Sequence, residues 1–284
     1  MYDTRNRFTY NQRNKRRGLA AIAPPSSIDP NTLNPTWYFE GGTNIGVDGF
    51  GRTFWREKIS NSTWYIYDAG GGPVIQDYTE QLNGITIINT DKFWAGVDQN
   101  LWLADVITYD FSLLFGVNNW SYFTLVQPLH KTVSSGVIAS ETCNIQNGSS
   151  NVRFVVRYTD TQIWCDLLDN VNNIPRATIN VNVNVNDYIF IVVTYNDTTK
   201  TLNLYAYGLT DQQSNPLFSL PSFASCRRPS FDGFKTTYTG IANNLPIRGR
   251  QLEHCVLPVT LTVNQINGIT RYFMAKYNIT LPLY

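Results

Sequence analysis

Hydrolysis of a glycosidic bond with retention needs two carboxyl groups about 5–5.5 Å apart. Strand alternation supplies that separation when the acids share one face, as in the pattern E-x-D-x-x-E. No such pattern occurs here: Glu57, Glu80, Glu141 and Glu253 each lack a carboxylate at that spacing. A Ser-His-Asp triad would have to use His130 or His254, the two histidines of the chain, and no G-x-S-x-G elbow accompanies either. His130 follows Gln127-Pro128-Leu129 in a predicted loop and reads as a surface residue. Gly70-Gly71-Gly72, after Asp68, leads into neither Lys-Ser/Thr nor a helix start, so it reads as a turn rather than a phosphate cradle. Zinc needs three or four clustered Cys or His ligands, whereas Cys143, Cys165, Cys226 and Cys255 are scattered without a C-x-x-C. Cys165 and Cys255 lie in apolar stretches and read as buried thiols, and a reduced site of synthesis is expected, although three disulfide pairings stay open. The expectation is a protein that is not an enzyme and holds no cofactor, with a structural calcium ion on Asp and Asn loop oxygens as the one exception kept open.

Binding chemistry has better material. Sugar sites set aromatic rings against the ring faces of the ligand and amides or carboxylates against its hydroxyls. Trp94, Asp98, Trp102, Asn118, Trp120 and Tyr122 stand in or near predicted loops and are the glycan-binding candidates. The competing use of the tryptophans, filling a sandwich core or a subunit contact, is the favoured one. Basic residues gather in Arg227-Arg228, in Arg248-Gly249-Arg250 and above all near the N-terminus, at Arg5, Arg7, Arg13, Lys15, Arg16 and Arg17. The first two clusters read as solvated turns. Those of the N-terminal stretch are candidates for holding a partner, with nucleic-acid contact a weaker alternative.

The elements that must position these residues follow from composition and periodicity. The chain has 284 residues, formal net charge +1, and only 15% charged residues, while 43% are hydrophobic and 14% aromatic. That balance excludes a charge-rich disordered chain, and no run of about 18 apolar residues is present to span a bilayer. Residues 1–36 carry six basic side chains and two acids and end in a Pro/Ser/Asn stretch, so they read as an extended arm of net charge +4; residues 37–284 form a body of −3. The arm's Gly18–Ala23 stretch is too short for a secretory h-region. Five Asn-x-Ser/Thr sequons, in a chain with about 30 asparagines and no signal peptide, carry no weight. From Trp37 onward short β-prone runs predominate: Asp110–Phe115, Tyr122–Val126, Gly136–Ala139, Val152–Tyr158 and Gln162–Leu167. Ile179–Asn186 alternates apolar and polar strictly, which predicts a half-buried strand, and Tyr188–Tyr195 is almost wholly apolar, which predicts a strand covered on both sides. A hairpin loop at 196–200 leads into Thr201–Tyr207. Thr262-Val263-Asn264-Gln265 has the form of a capping box, followed by an apolar stripe at Ile266, Ile269, Phe273 and Tyr277, so one helix is predicted near the C-terminus. Gly268 within it costs about 1 kcal/mol relative to alanine and implies close packing.

The order of these features resembles the concanavalin A-like lectin/glucanase superfamily, in the laminin-G-like branch found in phage and large-virus structural proteins. Leu82–Ile88 and Asn100–Leu103 are similar to the branch's opening motif, and Asp110–Phe115 is similar to the strand that follows. Asp187–Tyr195 with Leu202–Gly208 resembles its central hairpin, and Val263–Ile279 its closing helix. The likeness covers roughly residues 50–280. The branch's W-x-D-x-S-G-x-G signature is reduced in Trp55–Ser62 to the tryptophan and a serine. The fold implied is all-β, a concanavalin A-like jelly-roll β-sandwich over residues 37–284 with one short C-terminal helix, preceded by the extended N-terminal arm, 1–36. The function implied is that of a non-enzymatic virion structural protein, a capsid-associated, decoration or fibre/spike component, made in the host cytoplasm. Its expected partners are other virion proteins, a second copy of itself and a host-surface glycan. A carbohydrate-binding module on a soluble or cell-surface protein is the alternative.

Overall fold

Alternation at a period of two builds two sheets that share one dry interior. In the computed structural model, which describes residues 26–67, 73–93, 102–104, 118–129, 136–144, 150–167, 175–217, 230–231, 245–246 and 249–284, the first half of the chain supplies β1 (Trp37–Glu40), β2 (Ile45–Val47), β3 (Thr53–Arg56), β4 (Thr63–Tyr67), β5 (Thr79–Leu82), β6 (Ile85–Asn89), β7 (Trp102–Ala104), β8 (Asn119–Pro128) and β9 (Gly136–Asn144). The second half supplies β10 (Ser150–Thr159), β11 (Gln162–Leu167), β12 (Arg176–Asn180), β13 (Ile189–Asn196), β14 (Thr201–Ala206), β15 (Leu209–Ser214), β16 (Ser230–Phe231), β17 (Leu245–Pro246) and β18 (Gly249–Leu257), then helix α1 (Val263–Tyr277). One sheet runs β15-β14-β13-β8-β18-β6-β5, with β1 also pairing β18; the other runs β12-β11-β10-β9-β16-β7-β4-β3-β2, with β17 also on β9. Among the described residues every pairing is antiparallel except β17 with β9. The result is a jelly-roll β-sandwich with one short C-terminal helix.

The interior is aromatic. Trp37, Phe39, Trp55 and Trp64 pack edge-on or tilted with ring centroids 4.8–5.4 Å apart, and Trp120, Tyr122 and Phe154 continue the cluster. A second core lies on the other face of the β8–β13–β18 sheet, where Phe123, Leu125, Phe190 and Val192 meet Ile266, Ile269, Phe273 and Tyr277 of α1. The two cores claim successive residues in turn: Ile189, Ile191 and Val193 face the first, Phe190 and Val192 the second. A strand sandwiched in this way reads as an unbroken apolar run, as Tyr188–Tyr195 does.

The predicted helix is present with its capping box: the Thr262 side chain accepts from the Gln265 N–H while Gln265 reaches back to the Thr262 N–H. The close packing implied by Gly268 has a definite partner. A Cβ at that position would stand 2.5 Å from Cγ1 of Ile28, and the Ile28 N–H donates to the Gly268 carbonyl at 3.0 Å. Residues 26–36 thus lie against the body, with Pro30 buried in a short 3-10 helix, Pro30–Leu33, and Leu33 packed on the second core. The strand predicted over Ile179–Asn186 is a partial correction. Burial does alternate through Val183, but the ladder stops at Asn180 because the N–H groups of Val181 and Val183 turn to the carbonyls of Thr161 and Asp160. Asn83-Gly84, with φ of 51° and 82°, closes the β5–β6 hairpin within the first resembling motif. The run Asp110–Phe115 lies outside the described residues, as do Asn100 and Leu101.

Candidate functional site

Strand β3 and the turn before it repeat one pattern, Phe50-x-Arg52-x-Phe54-x-Arg56. Because alternate residues share a face, Thr53 and Trp55 are buried, while Phe54 and Arg56 stand on the solvent side of the sheet. Strand β4 then sets Tyr65 opposite Phe54 and Thr63 opposite Arg56. On this face the Arg52 guanidinium lies 4.9 Å from the Phe50 ring centroid and 4.7 Å from that of Tyr65, and the Arg56 guanidinium lies 5.8 Å from that of Phe54. Each is a cation–π contact. Gly46 on β2 faces Phe54 across the strand pair, and a Cβ there would meet the ring at 3.2 Å, so the missing side chain leaves room for it.

Asp48 organises the turn. Its carboxylate accepts the N–H groups of Phe50 and Arg52 at 2.9 and 3.0 Å and takes two bonds from the Arg52 side chain at 2.8 and 2.6 Å. The Arg52 side-chain bonds hold the Asp48 carboxyl below its usual range, against a smaller opposing effect of burial, with the two backbone amides adding to them. Phe50 is nonetheless 73% exposed. An aromatic ring backed by an anchored cation and open on its other side is suited to stacking and hydrogen bonding, which is binding chemistry.

The carboxylates that could suggest catalysis are committed elsewhere. Glu57 is fully buried and accepts the N–H groups of Tyr38 at 2.6 Å and Ile59 at 2.8 Å, and that of Ser60. It thereby shapes the turn after Trp55 that the reduced signature had left open. Glu253, also fully buried, receives Lys276 at 2.7 Å and lies 2.5 Å from the Tyr277 hydroxyl. Burial pushes its carboxyl up to about 7 against the pull of Lys276. Lys276 also reaches Glu40 at 3.2 Å, and Lys58 reaches Glu40 at 2.6 Å, so the cluster ties α1 to β1 and β18. His254 is buried, its pKa driven well down by desolvation. Its Nε2 stands 2.8 Å from Gln251 Oε1 and its Nδ1 3.0 Å from the Tyr122 hydroxyl, so it is a core histidine rather than a catalytic base. Among the described residues no group of three His, Cys, Asp or Glu side chains is placed to hold a metal ion.

The residues singled out from sequence are not brought together. Trp120 and Tyr122 lie on β8 with 0% and 1% exposure, so both belong to the core and neither offers a face to a sugar. For Trp120 this is the favoured of the two sequence readings, and the binding candidacy falls because β8 begins at Asn119, within the loop predicted over 116–119. Asn118 is exposed, and its carbonyl accepts the Asp197 N–H at 2.7 Å. Trp102 belongs to β7, opposite Tyr67. Trp94, Asp98 and the arm residues Arg5, Arg7, Arg13, Lys15, Arg16 and Arg17 lie outside the described residues, as do Gly70-Gly71-Gly72, His130, Arg227, Arg228 and Arg248. Arg250 pairs with Glu80 at 2.5 Å and donates to Gln127 at 2.6 Å. Cys165 and Cys255 are buried free thiols, as expected. The Phe50–Arg56 face was missed, although its period-two pattern of ring and cation was the available signal.

No protein-family model matches the chain, and no curated protein matches it by sequence. Solved structures do match its fold. A Trypanosoma rangeli sialidase in complex with 2,3-difluoro-KDN superposes with TM-score 0.55 at 8% identity, over 89% of this chain and 37% of the sialidase. The binding domain of botulinum neurotoxin serotype D matches with TM-score 0.51 at 11% identity, over 87% of this chain and 53% of that one. A Ruminococcus gnavus sialidase CBM40 bound to α2,3-sialyllactose matches with TM-score 0.45 at 10% identity, over 53% of this chain and 81% of the module. The chain thus spans about a third of the first protein's length and half of the second's. At these identities the likeness shows a shared β-sandwich fold and nothing further.

Proposed function

We propose that this chain is a non-enzymatic, lectin-like binding protein whose sandwich presents the Phe50–Arg56 face to a carbohydrate. Phe50 carries this reading: a ring left 73% exposed, yet held from behind by Arg52, which Asp48 and Tyr65 anchor in turn. Holding an apolar ring in water is unfavourable unless a ligand covers it, and the C–H face of a sugar does so. Arg52 places hydrogen-bond donors beside the ring for hydroxyl or carboxylate oxygens, and Arg56 and Thr63 extend the same face further along β3 and β4. Glycans are the first ligand class to try because fold neighbours include a sialidase holding a nonulosonic acid analogue and a toxin's binding domain. The test is a glycan array probed with the parent protein and with Phe50→Ala. Binding by the parent that the variant loses supports the reading. Binding that survives the change, or no binding at all, sinks it, and turnover of a polysaccharide overturns the non-enzymatic part.

A second reading, compatible with the first, makes the chain a virion component anchored by its arm, with the sandwich in contact with other virion proteins. The docked segment 26–36 favours it, because it fixes the chain beside α1 at Ile28, eleven residues after Arg17 of the basic stretch. Deleting residues 1–25 should abolish incorporation into particles; unchanged incorporation counts against it.

A further inference from the structure

The two arginines on the β3–β4 face are placed differently. Asp48 takes two bonds from the Arg52 side chain, at 2.8 and 2.6 Å, so that pair carries no net charge. Arg56 is exposed and has no carboxylate partner among the described residues. Its side chain donates from Nε to Thr63 Oγ1 at 3.2 Å, and its guanidinium lies 5.8 Å from the Phe54 ring centroid. An exposed arginine ordinarily samples many rotamers, and ordering it costs entropy. Here a hydrogen bond on Nε and a ring against the plane hold the guanidinium from two sides, while both terminal nitrogens stay free. A planar fork in that state matches the two oxygens of a carboxylate or a sulfate, and it loses less freedom on binding than a mobile one. A hydroxyl, with one oxygen and no charge, gains less from it.

The surface next to the fork suits a ring. Phe54 and Tyr65 stand directly opposite each other on β3 and β4, both half-buried. Gly46, opposite Phe54 on β2, sets no side chain beside that ring. Tyr65 carries Arg52 at 4.7 Å, and Arg52 in turn backs Phe50. The ring pair therefore has a neutralised cation toward Phe50 and an unmatched one at Arg56. Four residues separate the two arginines, about 13 Å of extended strand. A ligand stacked on Phe50 reaches Arg56 only if it is longer than one sugar ring.

We propose, resting on the glycan reading of this same face, that its ligand is an acidic oligosaccharide. One sugar covers Phe50, the chain runs past Tyr65 and Phe54, and a carboxylate or sulfate ester of a later sugar sits on the Arg56 fork.

The test is calorimetry on the full chain with three ligands: a glucuronate-containing oligosaccharide, the same oligosaccharide with its carboxyl groups reduced to alcohols, and the reduced form bearing sulfate esters. At least one acidic form should bind about tenfold or more tighter than the neutral one, and the tighter of the two names the anion. Arg56→Gln, at an exposed position, should keep the parent's melting temperature and bring the acidic-to-neutral ratio close to one. Arg56→Lys, which keeps the charge without the fork, should recover part of the ratio. Lys200→Gln, which removes a positive charge from the loop before β14 on the other sheet, should leave the ratio as in the parent. Equal affinity for neutral and acidic forms, abolished by Phe50→Ala, overturns the acidic class and leaves the glycan reading standing. A ratio unchanged in Arg56→Gln, or lost equally in Lys200→Gln, overturns it as well. Free glucuronate binding as tightly as the oligosaccharide removes the extended ligand. A single-stranded oligonucleotide that binds tighter than every sugar, through Arg56, gives the face to nucleic acid and overturns both.

Discussion

Glu253 shows how far a single side chain's behaviour depends on what packs around it. In the sequence it is an isolated acid without a catalytic partner; in the fold it is fully buried against Lys276 and Tyr277, and burial raises its pKa to about 7. A carboxyl that holds its proton more tightly when folded stabilises the fold at low pH. That contribution is lost as pH rises from the unfolded value of 4.5 through about 7. Glu253→Gln should therefore gain on the parent as pH rises, by roughly 2–3 kcal/mol between about pH 5 and pH 8. Lys276 keeps Glu40 as a partner in the variant. Denaturant titrations at the two pH values measure this, and a parent-to-variant difference that stays constant would show that Glu253 does not titrate in this window. The thiols at Cys165 and Cys255 were legible from their apolar neighbours. The burial of Trp120 was the favoured reading without being decided, because aromatic residues serve cores and sugar sites alike and a boundary shift of one or two residues chooses between them. The arginine–phenylalanine alternation could have been read from period two alone. That Arg52 stacks on Phe50 and Tyr65 could not, since Tyr65 reaches it only through the pairing of β3 with β4.

Among the elements, α1 was the most legible, because a capping box and a stripe at spacings of three and four are local signals. Its closeness to the arm is a different matter. Gly268 announced a close contact but not its partner, which lies 240 residues away at Ile28. By propensity alone, Gly268→Ala should stabilise the helix by about 1 kcal/mol. Here the new Cβ would meet Ile28 side-chain atoms at 2.5 and 2.6 Å, so the variant should instead melt below the parent, with residues 26–36 displaced. Adding Ile28→Ala should recover part of the loss, a coupling read from a double-mutant cycle of thermal melts. Additive effects would mean that the segment does not press on the helix. Ile179–Asn186 teaches the converse. Its alternation correctly set which residues are buried, but hydrogen bonding needs a neighbouring strand, and beyond Asn180 the chain bonds instead to the turn between β10 and β11.

At the scale of the molecule, the near-neutral charge of +1 divides into a basic arm and a weakly acidic body, and the structure adds that the arm's last residues are part of the body's packing. Two deletions should therefore behave differently. Removing residues 1–25 is the reference, since it leaves the contacts of segment 26–36 in place. Removing 1–36 should lower the melting temperature by several degrees, because Ile28, Pro30 and Leu33 no longer cover the second core and α1. Calorimetry on the two truncations checks this, and equal melting temperatures would refute a structural part for 26–36.

The sequence by itself determined the predominance of strands, the helix and its cap, the strand covered on both faces and the division of charge, because each follows from composition or from periodicity within a short segment, whereas the sandwich was implied by the family resemblance. Only the tertiary structure decided which tryptophans are core, what fills the space above Gly268, why Glu57, Glu253 and His254 are buried, and that Phe50, Arg52, Phe54, Arg56 and Tyr65 form one face. Those outcomes depend on which strands pair and in what register, and pairing is a contest among distant segments that no local pattern records.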